Sequence, residues 1–369
     1  MKLPALDDLV GKQWSVYDHP PDESLFVAGP PGSGKTSLAV LRARFLAGPP
    51  LAKSVALVTR NRMLAALAQE LGNAEFKATT MNSLVSKDYA PRFRRYVPQF
   101  REYSPAIVYD WDAILNDYEQ EEVEPLYDHM VVDEGQNLPV GFFHWASRYG
   151  ARTLTIFADE DQATDAQHSS LSEISNATGL VEIVRLTDNH RNTPEIAEVA
   201  EHFHESKILP PAIVQRPAGG EVPQLLRVGS LDELTQRVAT RYRNRGESIG
   251  VIVPLKKDAY DLYSSIKKRL PIERVDVYTS DNAQGTEADI RLLDPGITAL
   301  TGESVIGLEF DAVFLLDLRR SLPCTSAEDH RRMYMLCARA RDALLLIDWP
   351  PYLTGRQLAA LPAPPVLVR

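Results

Sequence analysis

The sequence predicts an α/β fold with parallel strands, and three observations carry that expectation. Short runs that are apolar on both faces alternate along the chain with stretches of helical periodicity, the pattern of strands buried in a parallel sheet and joined by crossover helices. One such run, LFVA from Leu25 to Ala28, passes through a glycine-rich loop directly into helical sequence. Two others end in carboxylates, HMVVDE and TLTIFAD, at the end of a strand where open α/β sheets hold their ligands. At 369 residues the chain is long enough for two domains, each with its own core.

Taken in order, the stretch LFVAGPPGSGKT from Leu25 to Thr36 has the spacing G-x-x-x-x-G-K-[ST] and opens the helical sequence SLAVLRARFLAG. Gly29, Gly32, Ser33 and Gly34 let backbone N–H groups converge on phosphate oxygens, and the helix that follows points its positive end at them. Lys35 suits the β- and γ-phosphates and the Thr36 hydroxyl suits Mg²⁺. The strand before and the helix after separate this reading from a chance Gly/Pro-rich turn.

VALVT, Val55 to Thr59, is the next strand, followed by helical MLAALAQELG with a glycine stop and then FKATTMNSLV. MVVDE and TLTIFAD follow. The polar run NATG before VEIVRLT places the expected domain boundary at 178/179, giving an N-terminal ATP-binding domain over 1–178 and a C-terminal domain over 179–369. The second half repeats the alternation with SIGVIVP, a helix through Leu262 and Ile266, and the strands ITALTG, AVFLLDL and ALLLIDW.

Asp133 and Glu134 close one strand. One carboxylate suits Mg²⁺ and its neighbour suits a water-activating base, because phosphoryl hydrolysis is mostly positioning and charge neutralisation. Gln162, in ADEDQAT, is placed to hydrogen-bond a γ-phosphate or the lytic water. Composition bounds the partners: 44% apolar and 24% charged residues describe a soluble globular protein, and 50 acidic against 40 basic residues leave a net charge of −10. Any polyanion site is therefore local. Cys324 and Cys337 lack metal-ligand spacing, no apolar run reaches membrane-spanning length, and the N-terminus has no signal-like core, so the expected location is the cytoplasm with no membrane partner.

The motifs together resemble the UvrD/Rep-like branch of superfamily 1 helicases, in that family's own order from Gln13 to Arg341. Beyond the phosphate loop, TTMNSL resembles its TFHS-type stretch, DEGQ its DExQ box, ADEDQ its GDxxQ box, and LTDNHRNTPEIA its L-x-x-NYRS-x-x-EI box. GLEFDAVFL closely matches the GLEFD box, and YMLCARARDALLL resembles the final YVAxTRA box.

The resemblance implies two RecA-like P-loop NTPase domains hydrolysing Mg·ATP in the cleft between them, coupled to single-stranded DNA. It carries the adenine-reading role to Gln13, stacking on adenine to His190 in place of the family's tyrosine, ribose or cleft contact to Glu309, and γ-phosphate sensing to Gln162, Arg191 and Arg339. Arginine's fixed fork of donors suits a phosphate. Lys35 and Thr36 then hold phosphate and metal, Asp133 coordinates the metal, and Glu134 is the general base.

The departures shape a second expectation. Glu303 and Ile306 stand where the family carries lysine and histidine, and Thr59 to Arg62 replace an aromatic-bearing TFTN, with Arg60 available for stacking or a phosphate contact. Only about 110 residues separate Arg191 from Thr301, too few for the family's large accessory insertion. A compact insertion around 85–125 interleaves Arg92, Arg94, Arg95 and Arg101 with Tyr89, Phe93, Tyr96, Phe100 and Tyr103. It reads as a single-strand track, as aromatics packed on the domain, or as a partner surface. The acidic stretch Asp117 to Glu124 reads as a solvated helix face, and Lys256, Lys257, Lys267, Lys268 and Arg269 as a second basic patch. The alternative to a helicase or translocase is a non-unwinding, nucleotide-gated regulatory or sensor subunit beside an effector or nuclease, as in an anti-phage defence complex.

Overall fold

The computed structural model describes residues 3–72, 75–100, 107–121, 123–159, 168–204, 211–282, 287, 290 and 292–369. By its contacts the chain forms two compact units: one takes Leu3–Gly29 and Lys35–Leu186, the other Thr187–Arg369 together with the loop segment Pro30–Gly34.

The first unit holds α1 (Lys12–Tyr17), β1 (Leu25–Ala28), α2 (Lys35–Ala47), β2 (Val55–Thr59), α3 (Arg62–Leu71), β3 (Lys77–Thr80), α4 (Met81–Phe93), β4 (Gln99–Phe100), β5 (Val108–Tyr109), α5 (Trp111–Glu119), β6 (Tyr127–Val132), α6 (Val140–Trp145), β7 (Ala151–Ala158), α7 (Leu171–Thr178) and β8 (Ile183–Arg185). Six of the strands form one sheet in the order β3-β2-β6-β7-β1-β8, parallel at every pairing. Because side chains alternate across a strand, Phe26, Ala56, Met130 and Ile156 face one side, where they pack with residues of α4 to α7 such as Val85, Ile114, Phe142 and Ile174. Helix α2 touches β2, β6 and β7 and contributes nothing to that cluster, so it covers the opposite face.

The local chemistry of the elements is plain. Asn61 caps α3 by accepting the Leu64 N–H at 2.7 Å, and Gly72 ends it. Ser170 and Glu173 form a capping box on α7, which stops at Gly179 in the left-handed conformation. The strand in VEIVRLT lies beyond that stop and pairs with β1, so the first sheet extends past position 178 and the unit runs to Leu186.

The second unit holds β9 (Asp188–Asn189), α8 (Pro194–Glu201), β10 (Ile213–Val214), β11 (Gln224–Arg227), α9 (Leu231–Arg245), β12 (Ser248–Val253), α10 (Lys256–Arg269), β13 (Val275–Tyr278), β14 (Gly296–Thr301), β15 (Phe310–Leu315), α11 (Ala327–Cys337), β16 (Ala340–Asp348) and α12 (Gly355–Ala359). Its sheet, β11-β16-β15-β12-β14-β13, is again parallel throughout. The core joins Ile249, Val251, Ile297 and Phe314 of the strands to Val238, Leu262 and Ile266 of α9 and α10. The expected α/β architecture, parallel sheets flanked by helices, is what the chain adopts. No helix among the described residues is long and apolar enough to cross a membrane.

Candidate functional site

In the first unit, β1 runs into Gly29, whose N–H donates to Ala158 O at 3.3 Å, and α2 begins at Lys35. Buried Lys35 donates from Nζ to Gly29 O at 2.5 Å and reaches the Asp159 carboxylate at 3.4 Å. Thr36, the next residue, is also buried. The loop residues group with the second unit: Ser33 donates from Oγ to Pro30 O at 2.9 Å, and the His190 N–H donates to Gly32 O at 2.9 Å. Gly32 and Gly34 have φ of +80° and +84°, and a Cβ on Gly32 would stand 2.1 Å from Asn189 Oδ1, so only glycine fits there.

Asp133 and Glu134 follow β6 and are buried at 1% and 5% exposure. Neither oxygen of Asp133 makes a hydrogen bond. Burial, and then the charge of Glu134, push its carboxyl well above the usual carboxylate range; the nearby Lys35 ammonium and Thr36 hydroxyl pull the other way, the hydroxyl without reaching hydrogen-bond geometry. A buried carboxylate with both oxygens unpartnered beside a threonine hydroxyl is a donor set that fits a hard cation such as Mg²⁺. Among the described residues no cluster of three or more His, Cys, Asp or Glu side chains gathers elsewhere to offer a metal site.

Glu134 sits at φ 56° and ψ 41°, left-handed for a residue with a Cβ, as part of a tight turn through Gly135. That turn presses on β7: a Cβ on Gly135 would lie 3.2 Å from Phe157 O. The Glu134 carboxylate accepts from Gln136 Nε2 at 2.6 Å and Asn137 Nδ2 at 3.3 Å. Gln136 Oε1 in turn accepts the Asp159 N–H at 2.9 Å. Asn137 has no place in the sequence motifs, and Gln136 and Asp159 enter them only as the last residues of DEGQ and TLTIFAD, without a role. For Asp159 the signal existed, since it ends the strand TLTIFAD as Asp133 ends MVVD.

Gln13 lies on α1, where its Oε1 accepts the Val10 N–H at 3.2 Å. Gln162 lies outside the described residues. Arg60 is half-buried, which lowers its pKa, and its Nη1 reaches Asn137 O at 3.4 Å.

The second unit brings Arg191 and Glu309 together: Nε donates to Oε2 at 2.6 Å, and both side chains are largely buried. Burial opposes ionisation of Glu309, but nearby positive charge, that of Arg191 first and Arg341 among the rest, holds the carboxyl below its ordinary range. Arg339 is 1% exposed, donating from Nε to Met335 O at 3.1 Å. The His190 ring has a buried Nε2 without a hydrogen bond.

Part of the basic and aromatic insertion folds on itself. Tyr89 and Tyr118 are fully buried, Phe93 packs on both rings at centroid distances of 4.5 and 5.1 Å, and the tyrosine hydroxyls donate to Asp117 and Asp88. Arg92 pairs with Asp88 and Arg95 with Asp117. Asp117 and Tyr118, expected on a solvated face, are therefore part of this small core. Tyr96 at 93% exposure and Phe100 at 55% face outward, while Arg101 and Tyr103 lie outside the described residues. Of the second basic patch, Lys256 pairs with Asp281 at 2.6 Å, Lys267 donates to Glu273 O at 2.8 Å, and Arg269 pairs with Asp232. Glu303 pairs with Arg320 at 2.5 Å and lies 3.6 Å from Arg332.

Two parallel-sheet domains, one with a Gly-x-x-x-x-Gly-Lys-Thr loop opening α2 and carboxylates at adjacent strand ends, define a P-loop NTPase of two RecA-like domains. The family model of the viral superfamily 1 RNA helicase core domain matches residues 25–348, and the chain belongs to that family, which makes it a helicase-like NTPase. No curated protein matches the chain. Among solved structures it is similar to the C-terminal domain of a possible DNA helicase from Lactobacillus plantarum WCFS1, at 17% identity and a TM-score of 0.35, covering 48% of this chain and 97% of that one. It is also similar to the PRRSV helicase, at 16% identity and a TM-score of 0.42, covering 95% of this chain and 57% of that one. A third is the arterivirus nonstructural protein 10 helicase, at 15% and 0.40, covering 95% and 64%. The chain thus spans less than two thirds of the length of either viral helicase.

Proposed function

We propose that the protein is an ATPase of the UvrD/Rep-like superfamily 1 type that hydrolyses Mg·ATP and couples turnover to movement on, or gated binding of, single-stranded DNA. The observation that carries this reading is the grouping of Lys35 and Thr36 at the start of α2 with Asp133 and Glu134 after β6, the two Asp133 oxygens being left without partners. Lys35 and the loop N–H groups bind the phosphates. Thr36 and Asp133 hold Mg²⁺, which neutralises phosphate charge when bound. Glu134 orients and deprotonates the attacking water. Gln13 reads adenine with His190 stacked on the base and Glu309 toward the ribose, and Gln162, Arg191 and Arg339 sense the γ-phosphate. Arg191 then exchanges Glu309 for phosphate. Residues 1–178 and 179–369 are the proposed functional halves, in the cytoplasm.

Two observations favour further readings. The matched family is described by RNA helicases, which supports RNA as the polymer. Arg92 and Arg95 are held by Asp88 and Asp117 in a chain of net charge −10, which favours a nucleotide-gated switch that does not unwind and acts through an effector or nuclease partner. Hydrolysis by the wild-type chain and Lys35→Ala, with single-stranded DNA and RNA in parallel, tests the proposal: turnover lost in the variant and stimulated by DNA supports it, and robust turnover in the variant refutes it. ATP-driven displacement of a protein bound to the strand marks a motor; ATP-dependent complex formation without displacement marks the switch.

A further inference from the structure

The Glu134 side chain is aimed by a residue that the reading above leaves without a role. Gln136 is 1% exposed, and both ends of its amide are used. Its Nε2 donates to Glu134 Oε2 at 2.6 Å, and its Oε1 accepts the Asp159 N–H at 2.9 Å. Those neighbours fix the orientation of the amide, since the NH₂ group faces a carboxylate and the carbonyl faces an N–H. Asp159 is also the residue whose carboxylate approaches Lys35 Nζ at 3.4 Å. The Gln136 backbone is anchored as well, its carbonyl accepting the Ser169 N–H at 3.0 Å.

We propose that Gln136 is a positioning residue for hydrolysis: it ties the Glu134 carboxylate to the backbone of Asp159, so that the base and the phosphate-binding lysine share one frame. The proposal rests on the reading of Glu134 as the base. The backbone at Glu134 gives the frame its purpose. A left-handed residue at the end of β6 throws the carboxylate out of the strand direction, and a flexible Glu side chain there has several rotamers of similar energy. A short bond to a buried amide selects one of them. Asn137 Nδ2, at 3.3 Å from the same oxygen, is a longer second contact and leaves Gln136 as the main restraint. Base efficiency falls steeply with misplacement, about 10²-fold for an error near 1 Å.

The test is a double-mutant cycle on the full chain with Gln136→Met, which keeps the side-chain volume and removes both amide bonds, and Glu134→Gln. Gln136→Met is expected to lower kcat by about 10- to 100-fold with KM for ATP within about two-fold, and to add nothing in the Glu134→Gln background. Gln136→Glu keeps the acceptor for the Asp159 N–H while placing a carboxyl against Glu134, and is expected to lose kcat likewise, which keeps the test open where the methionine variant folds poorly. Wild-type kcat in either Gln136 variant, or an equal loss in both backgrounds, overturns the positioning role alone. Wild-type turnover in Glu134→Gln overturns the reading of the base and the proposal with it.

Discussion

Replacing Arg42 by methionine is expected to loosen the segment that carries Gln13. Arg42 lies in α2 and is fully buried, with Nη1 donating to Tyr17 O at 3.0 Å and His19 O at 2.5 Å, and Nη2 to Pro20 O at 3.0 Å. One guanidinium thus holds the end of α1 and the chain leading to β1. Hydrogen bonds from a charged donor contribute about 1.5–3 kcal/mol each, so three amount to roughly 4–9 kcal/mol gross. Burial pushes the Arg42 pKa down to about 10, with Asp18 opposing, which puts the cost of keeping the charge buried at about 2–3 kcal/mol after allowance for screening. The net loss expected for Arg42→Met is roughly 1–7 kcal/mol, since methionine fills the space but leaves three carbonyls unpaired. Urea denaturation gives the stability, and KM for ATP gives the consequence at Gln13: a several-fold rise with kcat changed less. A variant within about 0.5 kcal/mol of wild type, with KM unchanged, refutes the anchoring argument.

Other outcomes follow from the same geometry. His129 is fully buried between the Thr153 and Thr155 hydroxyls at 2.7 and 2.8 Å, and burial pushes its pKa down to about 3. The folded state keeps it neutral while the unfolded chain takes up a proton below the ordinary histidine value of 6.5, so its contribution is complete above that pH and is lost as pH falls toward 3. Unfolding free energies of wild type and His129→Gln, measured by urea titration, should therefore converge by about 1.4 kcal/mol per pH unit between about pH 6 and 4; a pH-independent difference contradicts this. Gly141→Ala places a Cβ 2.3 Å from Trp111 Cβ, and thermal unfolding should report a loss of about 1–3 kcal/mol. Arg191→Ala should lower kcat by about 10²-fold or more with ATP affinity kept within a few-fold, as measured by turnover and equilibrium binding.

The parts of this architecture that sequence revealed are the local ones. The phosphate loop is a contiguous pattern whose glycines meet backbone demands at φ +80° and +84°, and β2 and β12 coincide with apolar runs bounded by polar residues. Pairings across distance were hidden: Lys35 with Asp159, Arg191 with Glu309, Gln136 with the Asp159 backbone. The insertion divides among the alternatives its composition leaves open. Arginines interleaved with aromatics have the pattern of a strand-binding surface; Tyr89 and the half-buried Phe93 and Arg92 pack into a small core around Asp88 and Asp117, where satisfied hydroxyls and a paired charge tolerate burial, while Arg94, Arg95, Tyr96 and Phe100 stay exposed. VEIVRLT follows a helix stop and so looks like the start of a new domain, but its strand completes the edge of the first sheet beside β1.

The most direct test of the central claim is Mg²⁺-dependent ATP turnover by the wild-type chain and Glu134→Gln, with and without single-stranded nucleic acid, alongside equilibrium ATP binding by both. Turnover is expected in the wild type, stimulated by the strand, with near-complete loss in Glu134→Gln and ATP still bound. Equal turnover in the two proteins contradicts it.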